Sequence, residues 1–223
     1  MVFVTGATGY LGTPLLAALA GRGHAVRALV RPASVGRIRH PSIDVVTGDA
    51  LRAESYAHLV SGCDTFVQLV GTPKPAPWKA SQFQSLDLRS GLAAIAAARA
   101  AKVRHFVYLS VAHPAPVMQA YIDVRRRCEE ALAESQMNAT VLRPWYVLGP
   151  GHWWPYALLP FYALGKALPA TRAGARRLGL VRHAEMIAAL VWAVEHPADG
   201  WRVLEVPAIR AHGAEPRVTT MAR

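Results

Sequence analysis

Tyr121 and Arg125 are the two side chains whose types and spacing suit proton transfer. Residues four apart in a helix lie on one face, so the guanidinium would lie next to the phenol. A neighbouring cation lowers the pKa of a phenol from about 10, which would let Tyr121 exchange a proton with a carbonyl or an alcohol. Because arginine does not deprotonate in proteins, Arg125 can supply charge and hydrogen bonds but cannot join a proton relay.

A glycine-rich segment, G-x-x-G-x-x-G at residues 6–12, follows the first predicted strand and opens the first predicted helix. Gly6 permits a tight turn, Gly9 lets the backbone approach a pyrophosphate, and Gly12 lets the helix pack closely on the strand. The helix N-terminus adds free N–H groups and the positive end of the helix dipole. The segment therefore predicts a dinucleotide site. Its predicted contacts are Gly6, Thr8, Gly9, Tyr10, Leu11 and Gly12.

Short apolar runs alternate with alanine-rich helical stretches along the chain, and no hairpin signal interrupts them. This pattern predicts the α/β class, a doubly wound parallel sheet (Rossmann) with a small C-terminal lobe. We expect a dinucleotide-binding core over residues 1–150, a small substrate or lid lobe over 151–210 that is woven onto the core, and a loose tail over 211–223. The predicted helices include Glu54–Val60, Ser81–Ala101 and Ala120–Ser135.

Composition narrows the class of protein further. The 223 residues are 52% hydrophobic with a formal charge of +11, which excludes a disordered chain and suits one full-sized domain. The arginines are spread along the chain rather than concentrated in a stripe, so no nucleic-acid partner is expected. The sequence shows no leader, disulfide framework or pair of histidines at metal-ligand spacing. We expect a cytoplasmic protein without a metal.

Several segments together carry a resemblance to a known family. The segment Thr5–Gly12 resembles the fingerprint of extended and atypical short-chain dehydrogenases/reductases. Further similar segments are Gly48-Asp49, Gly62-Cys63-Asp64, Phe106–Ser110 and Leu142–Gly151, the last similar to the R-P-x-x-x-x-G-P-G segment. The chain looks most like the NmrA-like NAD(P)H-binding branch, which includes relatives of a complex I accessory subunit. The resemblance covers about residues 1–205.

The end of the second predicted strand bears on which dinucleotide binds. A site for NAD(H) places a carboxylate there for the ribose 2′-hydroxyl, whereas this chain has Arg31, with Arg37 as a second candidate. An arginine can bind a 2′-phosphate or stack on adenine, so NADP(H) is favoured over NAD(H). The resemblance also implies cofactor contacts at further positions. They are Asp49, Ala50, Leu69, Val70, Gly71, Tyr121, Arg125 and Pro144.

The resemblance implies a catalytic set of Tyr121, Arg125 and Ser110. Tyr121 and Arg125 stand where the family carries Y-x-x-x-K, and Ser110 resembles the serine that orients the substrate oxygen. Val111 follows Ser110 where many relatives have a second hydroxyl. Asp87 occupies the position of an Asn or Asp near the family lysine, although we expect a solvated helix charge there.

The aromatic segment Trp153–Tyr162 has three interpretations that the sequence leaves open. It could form the core of the small lobe, the wall of an apolar substrate pocket, or a surface that contacts a membrane beside Arg172, Arg176 and Arg177. The pocket interpretation implies a small apolar substrate. The sequence determines neither the oligomeric state nor a protein partner.

Three functional hypotheses follow. The first is an NADPH-dependent oxidoreductase that transfers hydride to a small apolar carbonyl or quinone. The second is a catalytically silent dinucleotide sensor or an assembly or regulatory protein, as NmrA-like relatives are. The third is an enzyme like a flavin reductase, whose acceptor takes hydride directly and needs no tyrosine.

Overall fold

The computed structural model describes residues 1–149 and 177–213, and a seven-stranded parallel sheet lies at its centre. The strand order is β3-β2-β1-β4-β5-β6-β9, and every neighbouring pair is parallel. A separate parallel pair joins β7 to β8. The strands are β1 Val2–Thr5, β2 Val26–Val30, β3 Ile43–Thr47, β4 Thr65–Gln68, β5 His105–Leu109, β6 Asn138–Arg143, β7 Tyr146–Leu148, β8 Leu180–Arg182 and β9 Trp201–Glu205.

Helices connect the strands and cover the sheet. The α-helices are α1 Gly12–Gly21, α2 Ala80–Gln82, α3 Arg89–Ala100, α4 Gln119–Glu134, α5 His183–Glu195 and α6 Val206–Gly213. A π-helical turn, Phe83–Leu88, joins α2 to α3. No helix within residues 1–149 and 177–213 is long and apolar enough to cross a membrane.

Two apolar clusters pack on opposite faces of the sheet because successive side chains of a strand point to opposite sides. Val2 and Val4 join the cluster that includes buried residues of α1 and α5, whereas Phe3 joins the one with α3 and α4. Strands buried on both faces need apolar residues at consecutive positions. The doubly wound parallel sheet predicted from the sequence is therefore confirmed.

Several local predictions differ from the structure. Residues 54–60 form parts of two short 3₁₀ turns, Ala53–Ser55 and Ala57–Val60, rather than one α-helix. Strand β7 has no counterpart in the sequence prediction, and residues 211–213, predicted to be loose, complete α6. Strand β9, which falls within the 151–210 lobe predicted to be woven onto the core, joins the main sheet next to β6. The remainder of that prediction, over residues 151–176, lies outside the described residues.

We expect His105, at the start of β5, to make the free energy of unfolding depend on pH under acidic conditions. It is 1% exposed, and its Nε2 lies 3.0 Å from Thr140 Oγ1. Burial, with a smaller effect of Arg202, lowers the pKa of His105 from 6.5 to about 4. Since the unfolded chain binds this proton near pH 6.5, stability falls as the pH drops from about 6.5 to about 4.

We expect this one group to cost about 3 kcal/mol of unfolding free energy across that window. Urea unfolding at several pH values, for the wild type and His105→Gln, measures it. The glutamine cannot titrate, so its curve should be flatter by that amount. Parallel curves for the two proteins would contradict the assignment.

Candidate functional site

The strand order reverses between β1 and β4, which opens a crevice at the carboxyl ends of these two strands. The glycine-rich turn follows β1, and residues 69–71 follow β4. A Cβ on Gly6 would lie 2.7 Å from Leu69 C and 2.8 Å from Val70 N, and Gly6 has a φ of +73°. The two segments predicted to contact a dinucleotide are therefore packed against each other at this crevice.

The three glycines of the turn have different roles. A Cβ on Gly12 would lie 2.7 Å from the backbone of Ala7, so Gly12 is required for α1 to pack on the turn. Gly9 is exposed, and its amide donates to Gly6 O at 2.9 Å. A Cβ there would meet Gly6 O at 3.1 Å, a tight contact that a small shift relieves. Gly9 is thus free to serve an approaching ligand rather than the fold.

Substitutions at these glycines should separate binding from folding. We expect Gly9→Ala to weaken dinucleotide binding, because its methyl group occupies the space of the pyrophosphate, with the melting temperature nearly unchanged. Gly12→Ala should lower the melting temperature itself, because its methyl group meets backbone. Titration calorimetry and thermal unfolding of both variants measure the two effects. If Gly9→Ala and Gly12→Ala lowered the melting temperature equally, these separate roles of the two glycines would be wrong.

The N-terminus of α1 presents no side chain that competes with a phosphate. Its N-cap residue Leu11 makes no capping hydrogen bond, and the first turn contains no acidic residue. The positive end of the helix dipole at an uncapped N-terminus favours an anion, even though Thr13 N already donates to Gly9 O at 3.2 Å and Pro14 has no N–H. The residues of this turn therefore fit a pyrophosphate.

Tyr10 and His183 close one side of the turn. Their rings lie 4.6 Å apart, and His183 Nε2 lies 3.1 Å from Tyr10 O. A Cβ on Gly149 would lie 2.8 Å from His183 Cβ, so this glycine lets α5 approach the turn. The sequence analysis did not identify His183. It lies 173 residues from Tyr10 in the chain, and no local pattern in its helix indicates that it contacts the glycine-rich turn.

Arg31 lies directly after β2 with an exposed side chain, and Arg37 ends the 3₁₀ turn Pro32–Arg37 that follows. Neither makes an ion pair with another described residue. Asp44, the acidic residue of β3, lies toward the amino end of that strand and is paired with Arg27 at 2.5 Å. Two exposed cations without carboxylate partners suit a phosphate at this end of the sheet.

Asp49 follows β3 and is exposed. Its Oδ1 accepts from Leu51 N at 2.9 Å, which stabilises a turn, and Arg52 N donates to Asp49 O at 2.9 Å. The carboxylate thus holds the turn through one oxygen. Ala50 is half-buried and packs against the apolar cluster that contains Phe3 and buried residues of α3 and α4, here called the Phe3 cluster.

Arg125 and Asp87 form a buried ion pair beneath residues 71 and 72. Arg125 Nη2 donates to Asp87 Oδ1 at 2.6 Å, with side chains 4% and 0% exposed. Thr72 donates to the same carboxylate from its amide at 3.1 Å and from Oγ1 at 2.5 Å. The expectation of a solvated charge at Asp87 is wrong, because the π-helical turn directs this residue into the protein.

Gly71 is required by this pair. A Cβ on Gly71 would lie 3.0 Å from Asp87 Oδ1 and directly against Arg125 Nη2. Gly71 is also one of the cofactor contacts that the resemblance implies. The structure adds that a side chain at this position would collide with the protein itself.

Tyr121 is half-buried one helical turn before Arg125. The guanidinium lies over the phenol ring, 5.0 Å from its centroid, and the ring of Phe83 is 4.9 Å away on another side. Burial raises the pKa of Tyr121 above its usual 10, Arg125 lowers it and Asp87 raises it, with burial the largest effect. Arg125 thus lowers the phenol pKa as predicted, but burial outweighs this effect, and the pKa of Tyr121 lies above 10 rather than below it.

Ser110 faces a different charged group. It is 4% exposed, and its Oγ donates to Glu129 Oε1 in a short hydrogen bond. Arg143 Nε donates to the same oxygen at 3.1 Å, and His113 Nε2 lies 3.6 Å from it. No contact among the described residues joins Ser110 Oγ to Tyr121. The structure thus brings Tyr121 and Arg125 together but directs Ser110 toward Glu129.

Pro144 is buried after β6, and its carbonyl accepts from Ala112 N at 2.9 Å. This bond joins the segments that follow β5 and β6. Glu129, missed from the sequence, lies two helical turns after Tyr121 on the same face of α4. The spacing of Tyr121, Arg125 and Glu129 by four residues each was the available signal.

The surroundings of Tyr121 on one side are apolar. Val111, Ala115 and Ile122 form a small buried cluster, and Tyr121, Trp145 and Leu178 pack against it. The segment Trp153–Tyr162 and residues 150–152, 172 and 176 lie outside the described residues. Within residues 1–149 and 177–213, no group of His, Cys, Asp and Glu could hold a metal ion.

A profile described as NAD(P)H-binding matches residues 6–150, which is more than half of the chain. A ceramide reductase of Caulobacter vibrioides is 30% identical over 98% of this chain and 72% of that protein. A 3-diazoavenalumate denitrifying reductase of a Streptomyces species is 33% identical over 89% of this chain and 73% of that protein. A photosystem II assembly factor of Cyanophora paradoxa is 26% identical over 64% of this chain and 44% of that protein.

Solved structures share the fold. A short-chain dehydrogenase/reductase superfamily protein from Agrobacterium tumefaciens with bound NAD has a TM-score of 0.66 at 20% identity, over 92% of this chain and 77% of that one. MoeE5 in complex with UDP-glucuronic acid and NAD also has a TM-score of 0.66 at 20% identity, over 92% and 75%. These findings confirm the resemblance inferred from the motifs.

Proposed function

The chain belongs to the NAD(P)H-binding family, and from that premise we propose that it is an NADPH-dependent oxidoreductase that reduces a small apolar carbonyl or quinone. Two of its relatives are named as reductases, one of them a ceramide reductase. The proposal of an apolar substrate is supported by the apolar surroundings of Tyr121, which packs against the cluster of Val111, Ala115 and Ile122.

One continuous set of contacts carries this proposal. Gly6 packs against Leu69 and Val70, Gly71 packs against Arg125, and Arg125 lies over the ring of Tyr121. The phosphate-binding turn and the phenol are thereby joined through the segment after β4. A dinucleotide bound at the turn could extend along this segment toward Tyr121.

In the proposed mechanism, the glycine-rich turn and residues 69–71 would hold NADPH, which would supply hydride for the carbonyl carbon. Tyr121 donates its phenolic proton to the substrate oxygen, which yields an alcohol. Burial raises the pKa of this phenol above its usual 10, so Tyr121 carries the proton that it donates. Arg125 keeps a positive charge beside the ring, which stabilises the negative charge that develops on the oxygen of Tyr121.

The preference for NADP(H) rests on Arg31 and is tested by calorimetric titration with NADPH, NADP⁺, NADH and NAD⁺. We expect Arg31→Ala to weaken NADPH binding by roughly 10–100-fold, because it removes a charged hydrogen-bond donor from the 2′-phosphate. NADH binding should not change. Arg104→Ala is the control, since Arg104 precedes β5 at the amino end of the sheet and is paired with Asp64.

A wild type that binds NADPH and NADH equally, or an Arg31→Ala variant that weakens both, would contradict this preference. Arg37→Ala in the same titration identifies the second candidate for the 2′-phosphate. Binding of NADPH also justifies a screen of carbonyls, quinones and flavins for its oxidation.

A catalytically silent binding protein is the second candidate, and the position of Ser110 favours it. Its hydroxyl is committed to Glu129, and Val111 supplies no replacement hydroxyl. One relative is named an assembly factor. Tight NADPH binding without oxidation of NADPH in the screen would support this candidate over the enzyme.

A further inference from the structure

Arg125 has its terminal nitrogens committed to the protein. The residue is 3% exposed, its Nη2 donates to Asp87, and its Nη1 donates to Leu109 O at 2.9 Å and to Tyr108 OH at 3.5 Å. These bonds join α4 to the end of β5 and to the π-helical turn. Both Nη atoms are thus held by protein acceptors, whereas the buried Nε has no hydrogen-bond partner among the described residues.

Asp87 transmits this arrangement to the segment after β4. Both of its oxygens accept from Thr72 N at 3.1 Å, and Oδ2 also accepts from Thr72 Oγ1. Thr72 itself is 5% exposed, so this segment is held from beneath by the carboxylate. Gly71 leaves no side chain between the pair and the backbone of the segment.

We propose that Asp87 and Arg125 are a positioning pair, in which Arg125 fixes the Asp87 carboxylate and Asp87 fixes the backbone of residues 69–72 beside the dinucleotide. Arg125 acts on the dinucleotide through Asp87 and Thr72 and does not touch it. The inference rests on the proposed function in that residues 69–71 line the dinucleotide site. It contradicts the prediction from the sequence that Arg125 is itself a cofactor contact.

A double-mutant cycle on NADPH binding distinguishes the two roles. Asp87→Asn and Arg125→Met should each raise the Kd for NADPH about tenfold. The Kd of the double variant should be no higher than that of the single variant with the higher Kd. Arg125→Lys should restore most of the affinity, because an ammonium group can still pair with Asp87. Because the double variant removes both buried charges, it leaves no unpaired charge in the protein, and its Kd can be measured even where a single variant folds poorly.

Additive losses would overturn the proposal. If Arg125→Met weakens NADPH binding by the same factor with and without Asp87→Asn, Arg125 contacts the dinucleotide directly. Asp123→Asn is the matched control, because Asp123 is an exposed carboxylate on the same helix. It should leave the Kd unchanged. Circular dichroism confirms that each variant is folded at the titration temperature.

Hydrogen exchange of the Thr72 amide in the ligand-free protein provides a readout that needs no dinucleotide. Asp87→Asn and Arg125→Met should each increase its exchange rate at least several-fold, whereas Asp123→Asn should not. A Thr72 amide that stays protected in both variants overturns the proposal. If the wild type binds neither NADPH nor NADH, the proposed function fails, and the exchange rates still decide whether the pair positions Thr72.

Discussion

Tyr121→Phe should reduce the turnover number for a carbonyl substrate by about 10²–10⁴-fold, the contribution typical of a positioned proton donor. The variant removes the phenolic oxygen and keeps the ring, which still packs on Phe83 and under the guanidinium of Arg125. The Kd for NADPH should therefore change far less than the turnover number, by no more than the loss of one hydrogen bond from an implied cofactor contact. Steady-state oxidation of NADPH and calorimetric titration measure the two quantities on the same preparation.

Tyr56→Phe is the matched control, since it makes the same change at a buried tyrosine in the Phe3 cluster. The hydroxyl of Tyr56 has no hydrogen-bond partner within residues 1–149 and 177–213, so its removal should cost neither activity nor stability. Full carbonyl reduction by Tyr121→Phe would overturn the proposed mechanism but not dinucleotide binding. Retained turnover with a flavin alone would favour an enzyme in which the acceptor takes hydride directly.

Glu129→Ala should lower the free energy of unfolding by about 3 kcal/mol, because it breaks a buried ion pair and leaves Arg143 without its main partner. Glu129 accepts hydrogen bonds from Ser110 and from both Nε and Nη2 of Arg143, and the two charged side chains are 7% and 18% exposed. Glu205, 3.3 Å from Arg143 Nη1, compensates in part. Urea unfolding monitored by circular dichroism measures the loss.

Glu130→Ala is the control for the same helix. Glu130 is 3.8 Å from Arg126 in an exposed pair, and such pairs contribute about 0.5 kcal/mol or less. If Glu129→Ala and Glu130→Ala lower the free energy of unfolding by the same small amount, the contacts of Glu129 with Ser110 and Arg143 do not stabilise the carboxyl ends of β5 and β6. In that case the orientation of Ser110 would have another cause.

The glycine-rich turn was largely predictable because its signal is local. Gly6, Gly9 and Gly12 lie within seven residues, and a turn between a strand and a helix places them at a helix N-terminus. The alternation of strands and helices also predicted the parallel sheet, since strands buried on both faces must be apolar throughout. The i, i+4 spacing of Tyr121 and Arg125 placed both on one face of α4 in the same way.

The tertiary structure alone decided how the charged residues are used. Asp87 looks like a surface charge in its own helix, and only the packing of that helix against the β4 end and α4 buries it against Arg125 and Thr72. Ser110 is directed to Glu129 by a contact across 19 residues, and Tyr10 meets His183 across 173. Local spacing and propensity determine periodicity and turns, whereas the burial and partners of a charge depend on segments distant in the chain. For this reason the sequence predicted the correct sign of the Arg125 effect on Tyr121 but missed the larger effect of burial on its pKa.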